Sequence, residues 1–455
     1  MRTGRAEPGE RTELMACIGL LSIAHPDYVA DGAAARFAEK AAAALRERGI
    51  DVIRTELAAT IPEARAAARE LIARDVDGVI YFMASWLECS VALAAVTETA
   101  HLPGCLWSFP MWRENGRECS TGSYVSGAML GGVLRRMGLE PKTVFGMPGE
   151  DGTAEEVAAF CRAAGAWHHL RRCRIGLVGY TSMNILTGTF DHLLLRSRLG
   201  PDVEQSDAYT LISMARTAAE EELLAAEAKL RSEARVSPDI PDAVLKKALG
   251  IYVALMKLKE RQSLDAVNVK CQYEFSKEYG MTACVPLSMV AGEDYIASCE
   301  GDMFCTVSQL ILRYLTGQVI AYGDAISDDG TILKTSPCGF MPFCLGRGTL
   351  DVVSFPEGFG FSGLICSFPM KPGRVTLLRV VEDVGDYHLL YLTGEGLAST
   401  EKRQGIFPAL DVRPDGDLTA LRREYAGQHF ALCYGDVSAE LEDLARIWKI
   451  RTVRI

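Results

Sequence analysis

The feature that most constrains the fold is an alternation of short apolar runs with helical stretches in the first part of the chain. The apolar residues 17–24 predict a strand, and the Ala-rich residues 33–48, which end before Gly49, predict a helix. The pattern then repeats, and residues 78–83 are apolar throughout, as in parallel strands that are covered on both faces. This alternation predicts a doubly wound α/β domain.

The alternation begins again at residue 174, which places the first domain boundary between residues 171 and 172. The sequence therefore predicts an N-terminal Rossmann-like domain over residues 1–171, with a disordered tail at residues 1–13, and a second such domain over residues 172–316. The predicted strand, two long helices and further strand of the second domain are residues 174–180, 213–234, 241–259 and 266–270.

From about residue 345 the sequence changes to short β segments separated by turns that contain Gly and Pro. Residues 349–355, 373–381 and 387–393 predict such strands. This pattern is typical of antiparallel sheets. We therefore expect a mainly antiparallel, β-barrel-like C-terminal domain over residues 317–455, as the third domain of the chain.

Charge and composition exclude several classes of protein. The 455 residues include 59 acidic and 48 basic side chains, and the formal net charge is −11. Because no basic cluster is present, we do not expect a nucleic-acid partner. We expect neither a membrane span nor a signal peptide, since no apolar run is long enough and the stretch at residues 15–24 is not followed by a cleavage site. A cytoplasmic protein with reduced cysteines is expected.

Two segments place polar side chains where predicted strands end. Residues 269–275 read Val-Lys-Cys-Gln-Tyr-Glu-Phe, and residues 297–303 read Ala-Ser-Cys-Glu-Gly-Asp-Met before a helical stretch that runs to about Leu315. In doubly wound sheets, ligands bind outside the carboxyl ends of the strands. Glu300 and Asp302 are therefore candidates for a functional site, although either could instead cap the following helix.

These segments resemble the L-fucose isomerase and L-arabinose isomerase-like family, in its fucose isomerase branch. The family pattern is Cys or Thr followed by Glu-x-Asp, a helix, and an Ala/Gly-Asp segment, and residues 299–302 and 321–324 are similar to it. A histidine before a short hydrophobic stretch near the C-terminus, here His429, completes the pattern. The resemblance implies that Glu300, Asp324 and His429 bind a divalent metal ion, expected to be Mn²⁺, and that Glu300 and Asp324 transfer protons.

The resemblance also implies a sugar pocket and an oligomer. Its expected substrate-binding residues are Met183, Gln272, Glu274, Ser336 and Gln428, although amides and hydroxyls near strand ends are as often local turn caps. Members of the family assemble into homo-oligomers, so a trimer or hexamer is expected.

The loop around Ser336 distinguishes two branches of the family. Relatives of arabinose isomerase place a histidine in this loop, and residues 336–338 read Ser-Pro-Cys here. A ligand set of two carboxylates and one imidazole is therefore expected, rather than a set with two histidines. Cys299, beside Glu300, is expected to pack rather than to bind this metal.

These residue types suit the transfer of a carbonyl group between neighbouring carbons of a sugar. The reaction moves a proton through an enediolate, carboxylates can carry that proton, and a cation can polarise the carbonyl. We therefore expect a metal-dependent aldose-ketose isomerase, an intramolecular oxidoreductase, acting on a small or modified sugar. Two alternatives remain open: an epimerase or lyase that uses the same metal site, and a non-catalytic sugar-binding protein.

Overall fold

The computed structural model describes residues 15–30, 32–293 and 295–455. The expected disordered tail at residues 1–13 lies outside the described residues. The chain forms two compact units. The first consists of the residues up to His168 together with Ala439–Lys449, and the second of His169–Ser438 together with Ile450–Ile455. Since the second unit holds residues on both sides of the expected boundary at residue 316, the division into three domains stays a prediction.

The first part of the chain alternates strands and helices. In chain order, the elements are β1 (Cys17–Ile23), α1 (Pro26–Ala30), α2 (Ala33–Arg46), β2 (Asp51–Arg54), α3 (Ile61–Ala73), β3 (Gly78–Met83), α4 (Cys89–Thr99), β4 (Gly104–Ser108), β5 (Trp112–Glu114), β6 (Arg117–Cys119), α5 (Ser123–Arg136), β7 (Lys142–Phe145) and α6 (Asp151–Leu170). Five of the strands form one parallel sheet in the order β2-β1-β3-β4-β7.

Both faces of this sheet are covered, which explains the unbroken apolar runs in its strands. Successive side chains of a strand point to opposite faces. Accordingly, Ile18 of β1 packs in the same core cluster as Phe37 of α2, whereas Leu21 of β1 belongs to the cluster of Leu71 from α3. The predicted doubly wound domain is confirmed.

The second part of the chain begins with a further α/β series and continues into β-rich structure. In chain order, its elements are β8 (Arg174–Val178), α7 (His192–Arg198), β9 (Asp202–Ser206), α8 (Ala208–Arg216), α9 (Glu220–Glu233), β10 (Arg235–Val236), α10 (Asp242–Gln262), β11 (Ala266–Val269), a π-helix (Glu274–Tyr279), α11 (Cys284–Val290), β12 (Ile296–Cys299), α12 (Met303–Thr316), β13 (Ala321–Asp328), β14 (Leu333–Ser336), β15 (Asp351–Ser354), β16 (Leu364–Ser367), β17 (Gly373–Glu382), β18 (Tyr387–Gly396), β19 (Leu410–Pro414), α13 (Leu418–Arg423), β20 (His429–Tyr434), α14 (Ser438–Trp448) and β21 (Arg451–Arg454).

A parallel sheet of four strands, in the order β12-β11-β8-β9, organises the α/β part of the second unit. The expected single helix over residues 213–234 is wrong, because the structure has α8 and α9 there. The backbone N–H of Ala219 donates to the Glu222 carboxylate at 2.9 Å, which begins a new helix. This local bond competes with continuation of the first helix.

Six antiparallel strands close into a barrel in the same unit. Their order is β17-β20-β13-β14-β19-β18, and the pairing of β17 with β18 completes the circle. Strand β21 adds to β18 in parallel. The mainly antiparallel, barrel-like C-terminal region is therefore confirmed, together with the two α/β sheets that precede it.

Two further observations concern the whole described chain. No helix in the ranges that the structure describes is long and apolar enough to cross a membrane. Within the same ranges no two cysteines form a disulfide bond, and ten of the fourteen cysteines are buried. Buried thiols behave as small apolar groups in a core.

Candidate active site

The candidate residues come from two sheets of the second unit. Gln272 and Glu300 follow the carboxyl ends of the neighbouring parallel strands β11 and β12. Asp324 lies in β13 and His429 begins β20, and these two residues are directly opposite each other in the antiparallel pair. The parallel sheet thus supplies a carboxylate and an amide, and the barrel supplies a carboxylate and an imidazole.

The imidazole of His429 lies between the two carboxylates that the sequence singled out. Its Nε2 atom is 3.3 Å from Glu300 Oε2 and 3.2 Å from Asp324 Oδ1. His429 and Glu300 are buried, whereas 24% of the Asp324 side chain is exposed. The structure therefore brings the three predicted ligands together, and Asp324 lies on the side that is open to solvent.

A buried ion pair fixes the orientation of His429. Asp302 Oδ2 is 2.9 Å from His429 Nδ1 and accepts a hydrogen bond from Arg379 Nη1 at 2.8 Å. The same Arg379 nitrogen donates to the His429 carbonyl at 2.9 Å. Asp302 also caps α12, since its Oδ1 accepts from the Cys305 N–H at 3.1 Å. The capping alternative thus holds for Asp302, which at the same time turns His429 Nε2 toward Glu300 and Asp324.

Glu300 lies in a tight turn whose backbone conformation requires a glycine at the next position. Its φ angle is +64° and that of Gly301 is +74°, both in the left-handed region that non-glycine residues rarely adopt. A Cβ atom on Gly301 would lie 1.9 Å from the Tyr180 carbonyl oxygen, so glycine is required there. The buried Asn268 amide holds the turn, because its Oδ1 accepts from Gly301 N–H at 2.8 Å and its Nδ2 donates to the Asp302 carbonyl at 3.0 Å.

Gln272 fixes the other oxygen of Glu300. Its Nε2 donates to Glu300 Oε1 at 2.9 Å, and its own Oε1 accepts from the Ser182 hydroxyl. The Ser182 N–H in turn donates to the Glu300 carbonyl at 3.0 Å. Only 2% of Gln272 is exposed, so in this structure the amide orients Glu300, and its expected contact with a sugar stays a prediction.

Met183 and Gln428 lie at the edges of the site. Met183 is 41% exposed in the segment that follows β8 and has a positive φ angle of 47°. The Nε2 of Gln428 is 3.4 Å from Nε2 of His429. Their expected role in sugar binding stays a prediction.

The other two expected sugar-binding residues already have partners in the protein. Glu274 forms an ion pair with Lys270 at 2.9 Å. The Ser336 hydroxyl donates to the Pro408 carbonyl at 2.6 Å, so toward a sugar it offers only its acceptor lone pairs. A role for either residue in substrate binding stays a prediction.

Burial and mutual contact shift the protonation of the three central groups. Burial raises the pKa of Asp324 above its ordinary value. Burial would also raise the pKa of Glu300, but its bond to His429 leaves that pKa below the ordinary value. Burial would lower the pKa of His429, and its bonds to Asp302, Asp324 and Glu300 raise it well above the usual range. The pKa values of the two carboxylates are thus shifted in opposite directions, down for Glu300 and up for Asp324.

The donor set fits a hard divalent cation. Two carboxylates and one imidazole are the ligand types that Mn²⁺ and similar ions accept. In metal sites the second nitrogen of a ligating histidine usually bonds to a carboxylate, and Asp302 occupies that position on His429. Glu300, Asp324 and His429 could therefore hold such an ion.

Sequence reasoning missed Asn268 and Arg379 as supports of the site. Asn268 is the one polar residue of β11, Ala-Val-Asn-Val, and Arg379 interrupts the apolar run Leu-Leu-Arg-Val-Val within β17. Such a residue must find a buried partner, and this requirement was a usable signal. Ser182 carried no comparable signal, because serine is common in the loops that follow strands.

No protein-family model matches this sequence. The chain is 23% identical over 401 residues to a sulfoquinovose isomerase from Alkalicoccus urumqiensis, an alignment that covers 87% of this chain and 90% of that protein. A sulfoquinovose isomerase from Clostridium sp. (strain MSTE9) is 26% identical over 318 residues, which is 68% of this chain and 70% of the relative.

A solved structure of the arabinose-binding component of an ABC transporter from Shewanella sp. ANA-3 is 14% identical, with a TM-score of 0.18, and covers 67% of this chain and 87% of the other. A superposition of this quality supports no conclusion about fold or function. The similarity to isomerases, in contrast, extends over most of the chain. This chain is an enzyme of the isomerase class, an intramolecular oxidoreductase.

Proposed function

We propose that this enzyme is a metal-dependent aldose-ketose isomerase that acts on sulfoquinovose or a related sugar derivative. The observation that carries the proposal is that one carboxylate oxygen each of Glu300 and Asp324 lies within 3.3 Å of Nε2 of His429. The similarity to proteins named sulfoquinovose isomerase supports the class of substrate. The resemblance of residues 299–302 to the fucose isomerase pattern supports the same chemistry.

Glu300, Asp324 and His429 are the proposed ligands of the cation, for which Mn²⁺ is the first choice. When bound, a divalent cation polarises the sugar carbonyl and stabilises negative charge on the enediolate oxygens. Two of these side chains are oriented by hydrogen bonds within the protein. Asp302 bonds to the imidazole of His429, and Gln272 donates to one oxygen of Glu300. Such preorganisation avoids a reorganisation cost during the reaction.

Glu300 and Asp324 are the proposed carriers of the proton. Conversion of an aldose to a ketose removes the proton from C2, forms an enediolate, and returns a proton to C1, while a hydroxyl proton passes from O2 to O1. Gln272 donates to Oε1 of Glu300, and the other oxygen, Oε2, faces His429 Nε2 at 3.3 Å. The partly exposed Asp324 lies on the side from which a sugar can enter.

The assembly and location of the enzyme are proposed from resemblance and composition. A homo-oligomer, either a trimer or a hexamer, follows from the family resemblance. A cytoplasmic location follows from the sequence expectation. Size-exclusion chromatography with light scattering checks the first, and fractionation of the source cells checks the second.

A substrate panel tests the proposed reaction. Purified enzyme with Mn²⁺ is incubated with L-fucose, L-arabinose, D-glucose and sulfoquinovose, and products are identified by NMR. We expect a ketose from at least one sugar, and loss of its formation in Glu300→Gln and Asp324→Asn. Glu382→Gln, a carboxylate change at the end of β17, is the matched control and should retain activity.

The possible products separate the proposal from its alternatives. A C2 epimer without ketose identifies an epimerase, and cleavage products identify a lyase. Sugar binding without turnover identifies a binding protein. Ketose formation at the wild-type rate by Glu300→Gln contradicts the proposed role of Glu300.

A further inference from the structure

Four cysteines surround the base of Glu300. Cys299 ends β12 directly before Glu300, Cys284 begins α11, and Cys271 and Cys338 follow β11 and β14. The sulfur atoms of Cys271 and Cys299 are 3.4 Å apart. The Cys284 thiol donates to the Cys338 carbonyl at 4.0 Å, and the sulfur atoms of Cys299 and Cys338 lie within 4.8 Å of each other. The four cysteines are therefore close neighbours.

Two of these thiols share a small space with the carboxylate of Glu300. The Cys299 and Cys338 sulfur atoms and one Glu300 carboxylate oxygen all lie within 4.8 Å of one another. Zinc binds sulfur at about 2.3 Å and carboxylate oxygen at about 2.0–2.2 Å, so tetrahedral ligand atoms lie roughly 3.5–3.8 Å apart. Small side-chain rotations therefore suffice to bring the three atoms onto one ion.

The chemistry of this group differs from that of the neighbouring carboxylate and imidazole set. Thiolates are soft ligands that select Zn²⁺ and Cd²⁺, whereas Mn²⁺ prefers oxygen and imidazole. Cys271 and Cys284 contribute further thiols next to the two ligands, and such groups can donate weak S–H hydrogen bonds to thiolates. Cys338 is partly buried as a residue, whereas the other three cysteines are buried.

We propose that Cys299, Cys338 and Glu300 form a second cation site, selective for a thiophilic divalent ion such as Zn²⁺, and that its occupation inhibits the isomerase. Binding replaces the two S–H protons by two metal-sulfur bonds, and both protons leave to solvent. The inhibition rests on the proposed function, because Glu300 is needed both there and in the reaction. An ion bound there engages the Glu300 carboxylate, whose Oε2 lies 3.3 Å from His429 Nε2, and so competes with the proposed reaction for this group.

A spectroscopic titration tests the site without any use of turnover. Full-length enzyme loaded with Mn²⁺ is titrated with Cd²⁺, and the ultraviolet absorption that arises from sulfur-to-cadmium charge transfer is recorded. We expect one equivalent to produce the band in the wild type and in Cys344→Ser, a change of an exposed thiol. The band should be lost in Cys299→Ser and Cys338→Ser.

Alkylation of the wild-type protein tests the site even if a serine variant fails to fold. Alkylation of Cys338 by iodoacetamide is followed by mass spectrometry with and without Cd²⁺. We expect Cd²⁺ to slow alkylation of Cys338 at least tenfold and to leave that of Cys344 unchanged. Absence of the band in folded wild type, its persistence in folded Cys338→Ser, or unchanged alkylation of Cys338 would overturn the proposed site.

The inhibitory consequence is tested separately by comparing each protein with itself. In the wild type and in Cys344→Ser, one equivalent of Zn²⁺ should reduce ketose formation at least tenfold relative to the same protein without Zn²⁺. In Cys338→Ser this ratio should be close to one. Equal inhibition of Cys338→Ser contradicts the inhibition through this site. Failure of the proposed function appears differently, as an absence of turnover in the Mn²⁺ enzyme that still shows the cadmium band.

Discussion

The carboxylate of Asp302 lies 2.9 Å from Nδ1 of His429, while the same oxygen accepts a hydrogen bond from Arg379 at 2.8 Å. Asp302 and Arg379 are almost completely buried. A charge in such a position depends on its partner, because neither group has access to water. The arrangement therefore couples the stability of the second unit to the orientation of the imidazole.

Replacement of Asp302 by Asn should destabilise the protein and weaken catalysis together. The change leaves Arg379 as a buried charge without its counter-ion, which costs roughly 3–5 kcal/mol. Urea unfolding measures the loss of stability. The matched control is Asp386→Asn, which removes an ion pair between Asp386 and Arg198 at the surface and should have a much smaller effect. Equal destabilisation by the two changes would contradict the structural role assigned to Asp302.

The Asn268 amide should matter for turnover as well as for stability. Asn268→Ala leaves the Gly301 N–H without its buried acceptor, which costs roughly 1–3 kcal/mol, and it frees the turn that positions Glu300. We expect kcat to fall roughly 10–100-fold. Gln318→Ala is the control, since Gln318 also bridges a backbone segment, at Tyr434. That variant should lose stability and retain kcat, and a comparable fall in its kcat would refute the prediction.

Alanine substitutions at Gly301 and Gly317 distinguish a steric clash from the strain of a positive φ angle. Both have positive φ angles, of 74° and 67°, but only at Gly301 would a Cβ atom collide with backbone, at the Tyr180 oxygen. Gly317→Ala should therefore cost only the roughly 1–2 kcal/mol of the left-handed conformation. Gly301→Ala should cost clearly more and abolish activity. Thermal unfolding compares the two, and similar melting temperatures would show that the turn can relax.

The described fold was largely predictable because its elements have strong local patterns. The unbroken apolar run of β3 and the alternation around it predict a covered parallel sheet. Closure of the barrel was harder to predict from the sequence, since it depends on pairing between strands such as β14 and β19 that are distant in the chain. The break between α8 and α9 was missed because Ala218 and Ala219 favour a helix, whereas the Ala219 N–H bonds to the Glu222 carboxylate and begins a new one.

The candidate site, like the fold, was predictable where residues lie in short motifs and not where they meet through contacts between distant segments. Glu300, Asp324 and His429 stand in short motifs that a resemblance can detect. The meeting of Asp324 and His429 depends on the register of β13 against β20, which no local pattern contains. The ion pair of Arg379 with Asp302 also joins residues that are distant in the chain. The sequence therefore predicts that the arginine is buried but does not predict its partner.

Metal binding should depend on His429 and not on another buried histidine of the barrel. After chelation by EDTA the enzyme should lose activity and regain it with Mn²⁺. His429→Ala should bind Mn²⁺ far more weakly, as measured by electron paramagnetic resonance. His388→Ala is the control, because His388, in β18, pairs with Asp383 at 2.8 Å. Equal Mn²⁺ affinity of the two variants would refute the assignment of His429, and full activity of EDTA-treated enzyme would refute metal dependence.

The most direct test of proton transfer by Glu300 and Asp324 is the reaction in D₂O, followed by NMR of the sugar that the enzyme converts. We predict that solvent deuterium enters the carbon-bound position at C1 of the ketose and at C2 of the recovered aldose. Glu300→Gln and Asp324→Asn should slow this incorporation at least as much as they slow product formation. Deuterium incorporation and ketose formation at the wild-type rate in Glu300→Gln and Asp324→Asn would contradict proton transfer by the two carboxylates.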